Sequence, residues 1–201
     1  VLRKKNGNEI EIINGKGGQF ICRIIDDHSK RCKVEILSKK VYKKSEQSIH
    51  IAMAIPKSSE RLEWFMEKAT EIGINRLSLL ICDHSERRSF NEKRLQKITI
   101  SALKQSKRFH LPVIDESVAF KDFIKANPKG YIGHCNSIEK IHAKKMNKPM
   151  PFLIGPEGDF SNTEISQAID LGYISVELSE NRLRTETAAL TSVFYLSNLL
   201  V

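Results

Sequence analysis

The segment Leu153-Ile154-Gly155-Pro156-Glu157-Gly158-Asp159-Phe160-Ser161 joins a short apolar run to a turn marked by two glycines and a proline. Ser161-Asn162-Thr163-Glu164 then fits a capping box, with Ser161 as N-cap and Glu164 at the third helical position, and Gly172 ends that helix. A second unit of the same kind follows. Ile174-Ser175-Val176-Glu177-Leu178 reads as a strand, Ser179-Glu180-Asn181-Arg182-Leu183-Arg184 as a turn, and a helical pattern starts at Thr185. Open α/β sheets bind ligands where a strand feeds such a turn and then a helix. Two turns on consecutive units can share one pocket.

Upstream, the same alternation recurs. His50 to Ile55 reads as a strand stopped by Pro56. Leu62, Phe65, Met66, Ala69 and Ile72 fall at helical spacing, with charges on the opposite face and Gly73 at the end. Arg76 to Ile81 is a strand, and Asn91 to Arg108 a helix with Leu95, Ile98 and Ala102 inward. The stretch 109–129 is mixed, with a short helix around Val118 to Lys125. Tyr131 to Cys135 and Phe152 to Ile154 are strands. In the last helix Leu190, Val193, Phe194, Leu200 and Val201 lie near one face, for the chain's own core or for a dimer contact. The class is therefore α/β, a mostly parallel sheet with helices on both faces.

Residues 1–45 read differently. Glu9 to Ile13 runs into Asn14-Gly15, a hairpin signal, and the stretches Gln19 to Ile25 and Cys32 to Leu37 follow as strands. Closely spaced strands suggest a small β-barrel. Gly15-Lys16-Gly17-Gly18 lacks phosphate-loop spacing and a following helix, so a hairpin turn is expected there. The polar run Lys43 to Ser48 is the expected linker, giving a barrel over 1–45 and an α/β domain over 46–201. The opening Val1-Leu2-Arg3 suggests a start inside a domain, with earlier strands missing.

Composition narrows the function. The 201 residues are 40% hydrophobic and 28% charged, ordinary for a globular protein. The net charge of +9 is uneven: 12 Lys/Arg face 5 Asp/Glu in 1–45, and 9 face 3 in 76–108. Concentrated positive charge points to phosphate backbones. No apolar run approaches the ~20 residues of a membrane span, and no signal peptide is visible. Cys22, Cys32, Cys82 and Cys135 have neither close pairing nor histidines at zinc spacing, so reduced, mostly buried thiols in the cytoplasm and no metal are expected.

The glycines at 155 and 158 let backbone approach a ligand without a Cβ in the way, and Pro156 stiffens the turn. That suits a flat purine better than a pyrophosphate, since the turn has no lysine and no dinucleotide fingerprint. The first turn alone reads equally as an ordinary strand–helix turn, but in the second an Arg and a Glu beside small polar residues at a helix start, Arg184-Thr185-Glu186-Thr187-Ala188, favour a site over a surface ion pair.

Those two turns carry a resemblance to the bacterial 16S ribosomal RNA (uracil-N3)-methyltransferase family of the SPOUT superfamily. Val1-Leu2-Arg3 with Gly7, the stretch Glu63 to Gly73, Ser85-Glu86-Arg87 and Lys104-Gln105-Ser106 agree in order, so the likeness spans the chain. Asp159 and Ser179 stand where the family commonly has glycine, and Asn181-Arg182 replaces an Arg-Ile pair. The resemblance implies an N-terminal PUA-like β-barrel, a SPOUT α/β domain with a deep trefoil knot, a homodimer, and S-adenosyl-L-methionine bound in the knot. It implies methylation of N3 of one uridine, uracil 1498, in 16S rRNA of the small ribosomal subunit. It places the cofactor on Leu153, Ile154, Gly155, Glu157, Gly158, Leu178, Ser179, Leu183, Thr187 and Ala188.

Uracil N3 carries a proton and is a weak nucleophile until it is lost, so a base or a cation near O2 or O4 is needed. Arg184 is the candidate for the anion or a phosphate, and Glu186 or Glu157 for the proton or for orienting Arg184. N3 lies on the Watson–Crick edge, so the base must be unpaired or turned out. Arg3, Lys4, Lys5, Arg23, Arg31 and Lys33 form the expected RNA clamp, extended by Arg87, Arg88, Lys93, Arg94 and Lys97. A ribose 2′-O-methyltransferase of the same superfamily and a non-catalytic RNA-binding protein are the other readings.

Overall fold

A parallel sheet is the frame of the computed structural model, which describes residues 4–200. The chain first forms three antiparallel strands, β1 (Glu9–Ile13), β2 (Gly18–Asp26) and β3 (Lys33–Val41). The β1–β2 connection is the expected hairpin turn. Asn14 Oδ1 accepts from the Lys16 and Gly18 amides at 2.8 and 2.9 Å, and Gly15 and Gly17 take positive φ values of 68° and 91°. The third strand runs past its expected end at Leu37 to Val41, because pairing with β2 continues to Gly18. This small sheet is stitched to the rest of the chain. Gly17 N–H donates to Phe109 O and Leu111 N–H to Gly15 O, both at 2.8 Å, and Tyr42 stacks on Phe109 with centroids 3.8 Å apart.

Past the irregular stretch 43–48, strand and helix alternate as β4 (His50–Ala54), α1 (Ser59–Ile72), β5 (Arg76–Ile81) and α2 (Glu92–Gln105). They continue as β6 (Val113–Ala119), α3 (Phe120–Ala126), β7 (Gly130–Gly133), β8 (Ile141–His142), β9 (Phe152–Ile154), α4 (Asn162–Asp170), β10 (Tyr173–Glu177) and α5 (Thr185–Ser197). The seven strands from β4 to β10 pair in parallel in the order β6-β5-β4-β9-β7-β10-β8. Side-chain alternation sorts the core onto two faces. Phe152 and Ile154 join Ile51, Met53, Phe65 and Val193 on the face covered by α1 and α5. Leu153 joins Ala52, Phe123, Phe160 and Ile165 on the face of α3 and α4.

Several boundaries depart from the sequence reading. The mixed stretch 109–129 holds a complete strand, β6, whose end overlaps the start of the expected helix. Its polar middle, Asp115-Glu116-Ser117, is tolerated because β6 is an edge strand paired only with β5. Strand β7 ends at Gly133, so His134 and Cys135 leave the sheet. Helix α2 ends at Gln105, where Ser106 caps it and Lys107 takes a φ of 53°. Of the apolar residues assigned to one face of α5, Val193 is buried but Phe194 is 53% exposed; Val201 lies outside the described residues. All four cysteines are free, and two of them, Cys32 and Cys135, are exposed rather than buried. Among the described residues no helix is long and apolar enough to cross a membrane.

Candidate active site

Strands β7, β9 and β10 are neighbours, so their carboxyl ends release the chain at one place. There a cavity of about 640 Å³ opens. Ile154, Gly155, Pro156, Glu157 and Asp159 form one wall, the run Leu178 to Thr185 with Ala188 another, and Gly133, His134, Cys135 and Lys140 a third. The volume falls in the range of small-molecule sites. The wall mixes apolar side chains with backbone from two turns, which suits a purine nucleoside. A Cβ on Gly155 would stand 3.0 Å from the Phe160 nitrogen, so a side chain here would press on the backbone of this tight return.

The first turn is held from several sides. Asp159 N–H closes it onto Pro156 O at 2.9 Å. Ser161 and Glu164 make the expected capping box at the start of α4. Glu164 is buried and accepts from the Asp83 and Ser161 amides at 3.0 and 2.9 Å. Burial raises its pKa above the ordinary carboxylate value despite those two bonds. His84 Nδ1 donates to the Gly158 and Asp159 carbonyls at 3.2 and 3.0 Å, so the segment after β5 clasps the turn as well. Thr185 Oγ1 donates to Gly155 O at 3.2 Å and ties the two turns directly together.

Ile154, Gly155, Glu157, Leu178, Ser179, Leu183, Arg184 and Ala188 line the cavity. Leu153 does not, because strand alternation turns it into the opposite core. Gly158 is exposed and packs toward His84, with only 3.2 Å between a built Cβ and that side chain. Thr187 is off the wall, in the first turn of α5, where its carbonyl accepts from Thr191 Oγ1. Glu186 is also off the wall, buried at 7% exposure beside Arg61. Arg184 is exposed, lines the cavity and occupies the N-cap of α5 without capping it through its side chain.

Sequence reasoning missed Arg61, His134, Cys135 and Lys140, all on the cavity wall. His134 is buried, with Nε2 at 3.0 Å from Ser175 Oγ and no partner for Nδ1 among the described residues. Burial, and then the Lys140 charge, lower its pKa, so the ring is neutral at pH 7. Only the sheet order could have pointed to these residues, since none belongs to either turn.

The basic residues have different surroundings. Arg31 and Arg88 are exposed and pair with no carboxylate among the described residues. Arg23 shares Glu9 and Glu35 at 3.7 and 3.8 Å, and Arg94 bonds Glu63 at 2.9 Å. Arg87 donates to the Ser89 and Lys57 carbonyls, and Lys4 to Glu9 O. Lys5, Lys33, Lys93 and Lys97 are exposed, while Arg3 lies outside the described residues.

Comparison with known proteins places the chain among RNA methyltransferases. The family model described as an RNA methyltransferase domain matches residues 43–197, and one described as an RNA methyltransferase PUA domain matches 1–37. Ribosomal RNA small subunit methyltransferase E of Rickettsia conorii is 32% identical over 202 residues, covering 96% of this chain and 82% of that protein. A probable rRNA methyltransferase of Porphyromonas gingivalis superposes with a TM-score of 0.88 at 33% identity, covering 98% of this chain and 87% of its own. The Neisseria gonorrhoeae ribosomal RNA small subunit methyltransferase E, bound to S-adenosyl methionine, gives 0.87 at 26% identity, covering 98% and 86%. The chain belongs to the ribosomal RNA small subunit methyltransferase E family of RNA methyltransferases.

Proposed function

We propose that this protein transfers a methyl group from S-adenosyl-L-methionine to N3 of a specific uridine, uracil 1498, in the 16S rRNA of the small ribosomal subunit. One observation carries the reading: the two turns that bear the family's motifs wall a single cavity and are bonded to each other through Thr185 and Gly155. When bound, the cofactor supplies an electrophilic methyl on a sulfonium. Ile154, Leu178, Leu183 and Ala188 give the apolar contacts for its adenosine, and the Gly155 and Ser179 backbone the polar ones.

The chain's own residues prepare the base. Arg184 faces the cavity and pairs with no carboxylate among the described residues, so its charge is available to a uracil O2 or O4 as N3 loses its proton. Glu157 is the better placed proton acceptor, because it lines the cavity whereas Glu186 does not. Its Oε1 is fixed by the Lys57 amide at 3.1 Å. Glu186 then has an orienting role. The RNA-binding residues are Lys4, Arg23, Arg31, Arg87, Arg88 and Arg94, with Arg3 added from the sequence alone, and the enzyme works as a cytoplasmic homodimer. The exposed Phe194 on α5 supports the dimer.

A PUA-like barrel over 1–45, a SPOUT domain over 46–201 and a trefoil knot complete the reading. The PUA match supports the barrel. Insertion of β9 between β4 and β7, with α5 packed back on α1 and β4, supports the knot.

The test is incubation with labelled S-adenosylmethionine and unmodified small subunits, followed by nucleoside mass spectrometry. 3-Methyluridine is expected; a 2′-O-methyl nucleoside or no product overturns the reading. Arg184→Ala with near-wild-type turnover removes the role given to Arg184.

A further inference from the structure

Three charged side chains from three separate elements are joined by two ion pairs at the edge of the cavity. Glu186, in the first turn of α5, is 7% exposed, and its Oε1 lies 3.6 Å from Arg61 Nε. Arg61, in the first turn of α1, reaches on through Nη1 to Glu157 Oε1 at 3.7 Å. Among the described residues no other cation lies within ion-pair distance of Glu186. The remaining charges of α1 are occupied or point elsewhere: Glu63 holds Arg94, Lys68 bonds Glu67 and Glu71, and Glu60 is exposed.

An exposed Arg–Glu pair contributes little, but a pair with one buried member must persist, because its loss strands a charge. Glu186 Oε2 has no hydrogen-bond partner among the described residues. Buried polar atoms usually have a partner, and among the described residues Arg61 supplies the one charged contact of this carboxylate. The guanidinium suits the task. Its Nε and Nη1 serve two carboxylates from one rigid plane, which a lysine point charge cannot do.

We propose that Arg61 is a positioning residue: anchored by the buried Glu186, it sets the place of the Glu157 carboxylate at the cavity together with the Lys57 amide, which donates to the same oxygen at 3.1 Å. The role rests on the reading of Glu157 as proton acceptor. Arg61 thereby links helix α1 to both turns, one through each acid.

The test is steady-state kinetics on small subunits, with cofactor affinity from calorimetry and thermal melts as a folding control. Arg61→Gln lowers kcat by about ten- to hundredfold, the scale of a misplaced catalytic group. Cofactor Kd stays within about threefold, since uniform binding is not what is lost. Arg61→Lys recovers part of kcat. Glu186→Gln loses a similar factor, and the double variant is no worse than the poorer single one. A kcat unchanged in Arg61→Gln, a loss confined to cofactor Kd, or losses that multiply in the double variant overturn the proposal. Glu157→Gln, measured in parallel, separates the two claims. Full activity in that variant removes the proton-acceptor reading itself. An inactive Glu157→Gln beside a fully active Arg61→Gln removes only the role of Arg61.

Discussion

Acid is expected to destabilise this protein from the end of the sheet opposite the cavity. His50 starts β4, is buried at 8% exposure, and sets its ring edge-on to Phe123 at 5.6 Å. Ser78 Oγ donates its only proton to Asp115 Oδ2 at 2.5 Å, so the bond at 2.8 Å between His50 and Ser78 runs from His50 Nε2–H to the hydroxyl oxygen. Arg76 completes the cluster with bonds of 2.8 and 3.0 Å to Asp115. Burial first, and the Arg76 charge second, lower the His50 pKa from 6.5 to about 4, against the opposing charge of Asp115. The unfolded chain therefore binds a proton that the folded one refuses between those values. Stability from this group is fully present above pH 6.5 and is lost as pH falls toward 4. At about 1.4 kcal/mol per unit, the whole loss is about 3 kcal/mol, with about 2 kcal/mol gone by pH 5. Asp115 acts in a lower window. Burial pushes its carboxyl up, but the Arg76 and Ser78 bonds and the Arg76 charge outweigh it, so its share is lost only below the ordinary value of 3.8. His134 adds to the His50 trend and Glu164 opposes it, so a single pH curve does not isolate His50. Urea melts of wild type and His50→Gln from pH 7.5 to 4.5 do. Wild-type stability falls by about 2 kcal/mol more than that of the variant between pH 7.5 and 5. Parallel curves refute the reasoning.

Two further outcomes test the rest of the structure. A Cβ on Gly17, at a φ of 91°, would stand 2.5 Å from Tyr42 O and 2.7 Å from His110 Nε2, so Gly17→Ala loosens the small sheet from the 109–111 segment. Destabilisation of at least about 2 kcal/mol in urea melts is expected, with cofactor affinity retained; an unchanged melt refutes the docking. RNA affinity falls steeply with salt, and Arg31→Ala and Arg88→Ala each reduce the slope by about one, measured by filter binding. Arg94→Ala changes it less, because Glu63 already neutralises Arg94; a flat response in wild type means the basic face is merely solvated.

The sequence made the C-terminal units legible because local rules agree there. The capping box at Ser161 and Glu164, the glycine at 172 and the apolar runs at 152–154 and 174–178 all favour one local structure. Strand β6 escaped notice because an edge strand needs only one paired side and tolerates Asp115 and Glu116 in its interior. Strand β8 is too short for any pattern, with two residues held by pairing to β10. The cavity itself depends on sheet order. That β9 lies between β4 and β7 is a long-range fact that neither strand records. Arg61 is hidden for the same reason: on the sequence it is one charge among six on the polar face of α1, and only packing of α1 on α5 brings Glu186 to it.

Asp159 shows how a turn holds a left-handed residue that is not glycine. Its φ of 65° lies in the left-handed region, where glycine is easiest and where aspartate is among the better tolerated alternatives. The aspartate does more than tolerate the conformation. Oδ1 accepts from the Phe160 amide at 2.8 Å, and Oδ2 from the Cys135 amide at 2.7 Å. The first bond stiffens the return toward α4, and the second crosses to the chain leaving β7. Glycine would supply the same φ with neither bond. The carboxylate therefore spends its oxygens on backbone, joining two walls of the cavity. At a φ of 65° this chain thus carries a residue that also ties the site together.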